Sequence, residues 1–462
     1  MDKQLRIWLF VLLGTLFTSS TLLAEGLITM TTSERVVEEI QLIIKANGNV
    51  TIEGAQETGQ ANESGFKPYR LTSQTITIRG DVTELDCNEN QLTSLNVSKN
   101  TALTSLECSY NQLTSLDVSK NTALTKLDCC CNQLTSLEVS KNTALEVLNC
   151  FSNQLTSLEV SKNTALTKLW CSYNQLTSLD LSQNIALTKL DCSYDQLTSL
   201  DVSGCTALTE LNCINNQLTS LDVSKNTVLT ELECSYNQLT SLDLSQNTAL
   251  TELFCHSNQL TSLDVSKNTA LEVLDCLYNQ LTNLDVSKNT TLTSLECSYN
   301  QLTSLEVSKN TALEVLDCFS NQLTSLDVSK NTALEVLNCF SNQLTSLEVS
   351  KNTALTRLNC DYNQLTSLDV SKNTALTTLG CNDNKLTNLN MSGCANLMVI
   401  SCSNNYINGK AMTKLVNSLP NRRGKSSGTI VIVDSSSKKS DKNRCSAADV
   451  TTAKRKNWKV RQ

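Results

Sequence analysis

The amino-acid sequence predicts a solenoid of the α/β type, mostly β: sixteen 21-residue coils on one parallel sheet, with a β-rich N-terminal cap and a small α/β C-terminal cap. Three observations predict it. Cysteine recurs every 21 residues from Cys87 to Cys402, sixteen times without a slip, and a fixed period in the twenties marks stacked coils. Around each of these cysteines apolar and polar residues alternate, as in Leu127-Asp128-Cys129, which is the pattern of a short strand with one buried face. The composition is also lopsided, with 2 Pro, 13 Gly and one His in 462 residues. Turns in the array therefore rest on Asn and Ser, and the imidazole chemistry of most catalytic triads and metal sites has almost no material to work with.

The chain opens on Lys3 and Arg6, then an apolar run from Ile7 to Phe17, then small residues up to Ala24. This is the order of a secretory signal, so residues 1–24 are expected to be a signal peptide and the mature protein to be exported. The run is shorter than the roughly 20 residues a membrane span needs, and no second one follows, so no transmembrane segment is expected in the mature chain. Residues 25–81 read as the N-terminal cap. Glu39–Lys45 and Asn49–Glu53 alternate and are joined across Asn47-Gly48, a hairpin signal, while Thr75–Arg79 leads into the first coil.

The array occupies residues 82–408. Its unit is typified by Leu124-x-x-Leu127-x-Cys129-x-x-Asn132-x-Leu134. Leu127 and Cys129 are expected to point inward and Lys126, Asp128 and Cys130 outward. Asn132 and its equivalents, with Asp195 the one exception, are expected to bond backbone groups of the turn and of the next coil. The second half, Leu134 to Asn142, repeats the spacing over a shorter distance and predicts a second extended side. This L-x-x-L-x-C-x-x-N-x-L unit resembles that of bacterial leucine-rich repeat surface proteins of the 21-residue class, the internalin-like proteins, over residues 82–407. The resemblance implies a non-enzymatic binding protein, adhesin-like, acting at a cell surface or in a biofilm on protein or glycan partners. The chain carries no LPxTG signal, so attachment by that route is not expected and secreted or periplasmic forms stay open.

Residues 409–462 read as a C-terminal cap and tail: a helix from Lys410 to Leu419 stopped by Pro420, a flexible loop from Arg422 to Gly428, a strand from Thr429 to Val433 and a basic helix from Ala447 to Trp458. This segment holds 14 Lys and Arg against 3 Asp, whereas the rest holds 23 basic and 42 acidic residues. The acidic body repels phosphate backbones, so nucleic acid is not an expected partner.

Cysteines in register on parallel strands lie about 4.8 Å apart, beyond the Cβ separation of about 3.8 Å that a disulfide prefers. The sixteen ladder cysteines are therefore expected to be buried thiols. Five others lie off the ladder. Cys205 and Cys394 replace the second Asn of their coils, Cys130 and Cys131 are expected to face out, and Cys445 is in the tail. No cofactor, metal or catalytic residue is expected. His256 follows Cys255, but neighbours on a strand point to opposite faces, and Arg79-Gly80-Asp81 is read as a chance tripeptide. A second charged ladder, Asp or Glu at Asp117 and its equivalents in 13 of 15 coils beside Lys in 11 of 15, reads as a charge-balanced solvated face rather than a calcium ladder.

Variation among coils points to the ligand-binding face. Of 16 aromatic residues after the signal, 12 fall at three positions flanking the ladder cysteine: Trp170 and Phe254 before it, Phe151, Phe319 and Phe340 just after it, and Tyr110, Tyr173, Tyr194, Tyr236, Tyr278, Tyr299 and Tyr362 two after it. Exposed rings on a concave sheet face supply the anchoring contacts that binding surfaces use. The expectation is a monomeric protein binding a protein or glycan through these rings. The alternative is a structural protein that self-associates into a matrix.

Overall fold

The computed structural model describes residues 26–433 and 441–461; the expected signal segment lies outside the described residues. The chain divides into two compact units, Met1–Leu187 and Thr188–Gln462, taken here in turn.

The first unit begins with eight strands: β1 Leu27–Thr32, β2 Glu39–Ala46, β3 Thr51–Glu53, β4 Ala55–Glu57, β5 Lys67–Leu71, β6 Thr75–Arg79, β7 Val82–Asp86 and β8 Leu92–Asn96. Strand β7 is the first rung of the parallel sheet, which continues through Ser105–Glu107, Lys126–Asp128, Val147–Asn149 and Lys168–Trp170 with leucine opposite leucine. A free first rung would expose a strand edge, a template for aggregation. Here β2 covers it, pairing antiparallel with β7 through Ile43–Ala46 and with β5 through Glu39–Leu42. On the far side of the same coil β1 pairs antiparallel with both β8 and β6. Ile28, Met30, Ile40, Leu42, Ile76 and Ile78 form the floor of this cap, each almost fully buried. The N-terminal region is thus β-rich as expected, with one difference. Asn47-Gly48 does not close a hairpin: β2 stays with β5 and β7, and the next strand, β3, pairs instead with β6. The Asn47 amide donates to the Asp81 carbonyl at 2.9 Å, and the demand of two exposed edges overrides the local turn signal. Arg79-Gly80-Asp81 sits inside this junction. Arg79 is ion-paired with Glu53 at 3.1 Å and Gly80 is buried, so the tripeptide is not presented on a loop.

After β7 each rung of this unit is only three residues long, with a half-buried, buried, half-buried pattern. The ladder cysteine follows the strand and is fully buried. Its thiol donates to a carbonyl one coil on, as from Cys129 to Asn149 at 3.5 Å. Asn132 is the hinge of the turn. Its amide donates to the carbonyls of Cys129 and Cys130 in its own turn and of Cys108 in the preceding coil, and its Oδ1 accepts from the Leu113 amide at 3.0 Å. The expected ladder is therefore present, but it reaches back to the preceding coil. The first coil has no predecessor. Here β2 substitutes for one, since Asn90 Oδ1 accepts from the Gln41 amide and Asn90 Nδ2 donates to the Gln41 carbonyl, both at 2.8 Å.

A second ladder lines the other corner. Asn142 Nδ2 donates to the carbonyls of Val118 and Asn121, while its Oδ1 has no partner. The position thus serves as a donor. In the first coil Asn100 has neither atom paired, because the cap supplies nothing there. The second extended side is barely a sheet: in this unit it pairs only as bridges from Asp117 to Glu138 to Glu159, beyond the β1–β8 pair. Cys130 also departs from expectation. It is 7% exposed and burial pushes its thiol up to about 12, because the strand ends at Asp128 and inward–outward alternation ends with it.

The second unit carries eleven further rungs among the described residues, from Lys189–Asp191 to Val399–Ser401, each parallel to the next. Cys205 and Cys394 sit buried on the second ladder. Cys394 Sγ donates to the Val370 carbonyl at 3.0 Å, the same donor role in thiol form. At the C-terminal end the sheet gains two more parallel strands, Gly428–Val431 and Trp458–Arg461. Asn443 extends the first ladder beyond the repeats: its amide donates to Cys402 and Ile432 carbonyls and its Oδ1 accepts from the Ile407 amide, all at 2.8 Å. Helices α1 (Gly409–Ser418) and α2 (Ala447–Arg455) complete the cap, α2 opened by a capping box between Ser446 and Asp449. The expected basic helix stops short of Trp458, because Asn457 takes a positive φ and the chain turns into a strand. That strand lays Trp458 against Gly428, where a Cβ would sit 2.6 Å from the ring. Arg422 is likewise no flexible loop residue. It is 4% exposed and donates to the carbonyls of Ser426 and Leu397.

Candidate binding surface

The turn that buries the first Asn forces the residue before it into the left-handed region. Every such residue from Glu89 to Asn404 has φ between 49° and 57°. Glycine and asparagine are the usual occupants of that conformation. Here seven are tyrosines, at 110, 173, 194, 236, 278, 299 and 362, all exposed. Left-handed backbone costs an ordinary residue roughly 1–2 kcal/mol, so local conformation does not account for tyrosine there. The preceding position is serine before five of the seven tyrosines (Ser109, Ser172, Ser193, Ser235, Ser298), with Leu277 and Asp361 before the other two, and it is bulky when serine follows (Phe151, His256, Phe319, Phe340). Most coils thus place one ring at the corner, by one position or the other.

In the second unit this makes a continuous strip. Tyr278 stacks on Tyr299 with centroids 4.0 Å apart, Tyr299 meets Phe319 edge-on at 4.8 Å, Phe319 meets Phe340 at 6.2 Å and Phe340 meets Tyr362 at 5.2 Å. Tyr236 packs edge-on against His256 at 4.9 Å. In the first unit Phe151 meets Tyr173 at 5.2 Å. The strip stands at the corner beyond the strand ends, and only Trp170 and Phe254 stand on the outward face of the strands themselves, both half-buried. The twelve expected residues therefore fall on two surfaces. Trp170, Tyr173, Phe151 and Tyr110 belong to the first unit and the rest to the second.

Two sets of carboxylates behave oppositely. Asp117 and its equivalents each accept from the backbone amide two residues on, as Ser119 to Asp117 at 2.9 Å, and such bonds hold Asp117, Asp180, Asp222, Asp264 and Asp327 below their usual range. Asn96 and Asn390 make the same bond to Ser98 and Ser392, which identifies the ladder as a turn cap rather than a cation site. On the sheet face of the second unit, Glu231, Glu233, Asp275, Glu296 and Asp317 are all pushed up, by burial first and, at all but Asp317, also by neighbouring carboxylates, with Asp275 reaching about 6. Nothing in the repeat consensus predicts this acidic face, because it is built from the variable residues. Among the described residues no group of three His, Cys, Asp or Glu converges as a metal site. Cys255 is fully buried with its thiol far above its ordinary range, and His256 is held down by burial, so the pair forms no activated nucleophile.

Stacked rungs, two asparagine ladders and a buried thiol ladder define a leucine-rich repeat protein. The functional domain of InlJ from Listeria monocytogenes, a structure that includes a cysteine ladder, matches with 37% identity and a TM-score of 0.62 over 79% of this chain and 77% of that one. The chain belongs to the internalin-like bacterial leucine-rich repeat proteins. A leucine-rich repeat protein of Leptospira interrogans matches at 25% identity, with a TM-score of 0.64 over 72% of this chain and 93% of that one. The Arabidopsis receptor kinase HAESA, in complex with the peptide hormone IDA and the co-receptor SERK1, shares the fold at 20% identity, with a TM-score of 0.60 over 77% of this chain and 75% of that one. No family model matches the chain, and no curated protein does. No helix among the described residues is long and apolar enough to cross a membrane.

Proposed function

We propose that this chain is an exported adhesin-like protein that binds a protein partner at the cell surface or in a biofilm through its corner rings. The strip from Tyr278 to Tyr362 carries the reading: contiguous aromatic surface, with Tyr278, Tyr299 and Tyr362 exposed and Phe319 and Phe340 half-buried between them, held partly in backbone that disfavours tyrosine, is surface kept for contact. Large rigid rings anchor protein interfaces at low entropic cost. The likeness to the InlJ domain supports a surface role, and the peptide complex of HAESA supports recognition of polypeptide by this fold. Glycans are a second ligand class for the same protein, taken up below on a separate surface. The test is to probe the purified chain against immobilised matrix proteins and against its own cells. Saturable binding to one protein supports the reading. Concentration-dependent self-assembly with no saturable partner would replace it with a scaffold.

A further inference from the structure

The sheet face of the first unit holds a depression of about 520 Å³. Its shape follows from three neighbouring rungs in register, where Asp128, Asn149 and Trp170 form one column and Lys126, Val147 and Lys168 the other. Val147 is shorter than the lysines on either side and Asn149 is shorter than Trp170, so Val147, Asn149 and Asp128 form the floor and Trp170 and the lysines form walls, with Phe151 closing the corner. The polar groups are unevenly committed. Lys126 is ion-paired with Glu107 at 2.6 Å. Asn149 is spent internally, donating to Asp128 Oδ2 at 3.1 Å and accepting from the Phe151 amide at 3.1 Å. Among the described residues Lys168 has no carboxylate partner and the Trp170 indole N–H has no acceptor.

We infer that this depression is a subsite for a carboxylated sugar, such as a uronic acid in an oligosaccharide; it rests on the reading of the chain as a surface binding protein. A ring face, an uncommitted N–H, an uncommitted ammonium and a carboxylate oxygen with spare lone pairs match the C–H face, hydroxyls and carboxylate of such a sugar. Trp170 stacks on the sugar, Lys168 pairs with its carboxylate and Asp128 Oδ2 accepts a hydroxyl. A single uncommitted lysine in the depression, in a body with 42 acidic against 23 basic residues before residue 409, suits a sparsely charged chain and repels a densely sulfated one.

Trp170 is half-buried in this wall whereas Trp458 is buried and donates to the Pro420 carbonyl at 2.9 Å, so tryptophan emission reports this site. The exported chain is titrated with hyaluronan hexasaccharide, chitohexaose and an acidic Glu-rich peptide, with calorimetry in parallel. The expected result is a saturable emission change with the hyaluronan hexasaccharide, absent in Trp170→Phe, and at least tenfold weaker binding in Lys168→Gln at an unchanged melting temperature. Equal binding of chitohexaose, indifference to Lys168→Gln, a response to the peptide alone, or no binding of either sugar would overturn it. Protein binding through the second unit's rings is read separately, so loss of one does not imply loss of the other.

Discussion

The two residues of each turn that stand side by side, the buried asparagine and the left-handed residue before it, obey opposite rules. Asn279 is 8% exposed and makes four hydrogen bonds, to the carbonyls of Cys255, Cys276 and Leu277 and from the Leu260 amide. Its neighbour Tyr278 is 49% exposed, sits at φ 51° and touches mainly another ring. The asparagine repeats almost without change because the turn and the preceding coil both depend on it. The corner residue changes from coil to coil because the turn asks only that some residue accept the left-handed conformation. Where a position is both permissive and filled by a residue that pays a conformational cost, selection for contact with something outside the fold is the simplest physical account.

The largest expected effect breaks the interior side of this comparison. Asn279→Ala removes four bonds and leaves buried carbonyls unpaired, which at about 1–3 kcal/mol per orphaned group should lower stability by about 3 kcal/mol or more in urea unfolding. Asn100→Ala is the internal control. Neither polar atom of Asn100 has a partner, so its loss leaves no group orphaned and should cost far less, about 1 kcal/mol or under, although the residue is buried more deeply, at 0% exposed. Equal losses at the two sites would show that burial, not the ladder, sets the value of these asparagines.

A second test uses pH. Asp275 and Asp361 are pushed up to about 6, chiefly by burial, above the value of about 3.9 in an unfolded chain. Between those values the folded state binds more protons than the unfolded, so stability falls as pH rises through this window. Turn-cap carboxyls such as Asp117 and Asp222, held below the ordinary value, weaken the fold only as pH falls below about 4. The melting temperature should therefore be higher at pH 5 than at pH 7, and the difference should shrink in Asp275→Asn with Asp361→Asn. A flat profile in the parent chain would contradict buried carboxyls on this face.

A smaller effect probes the corner. Tyr110 is 59% exposed at φ 54°, and asparagine tolerates that backbone better. Tyr110→Asn should leave the melting temperature unchanged or raise it by a few degrees; a clear drop would make the ring a stabilising residue. The thiols sharpen the same contrast. Cys131 and Cys445 are half-buried whereas the other nineteen are buried, so native alkylation should label those two and denaturation should release all 21.

The repeat was legible because period, strand alternation and the Leu, Cys and Asn positions all serve one interior, and each coil repeats the evidence. What stayed hidden depends on contacts the period does not encode. Asn443 lies 38 residues after Asn405, in a segment without the leucine pattern, yet it takes the next place on the ladder. Asn47-Gly48 carries a local hairpin signal, but the edges of the first coil recruit its flanking strands separately. The rings flanking each cysteine were visible as variation. Their division between strand face and corner was not, because it depends on the strand ending before the cysteine and on the sign of one φ angle.

The corner rings of the second unit are proposed to face a partner, while the ladders beneath them hold the fold. Tyr299→Asn combined with Phe319→Ser removes the middle of the strip and leaves every ladder bond in place. Affinity for the captured protein partner and melting temperature should be measured on the same preparation. The account predicts at least a thirtyfold loss of affinity, about 2 kcal/mol, with the melting temperature within a few degrees of the parent. Intact binding with a large fall in melting temperature would contradict it and make the strip a stacking element of the solenoid.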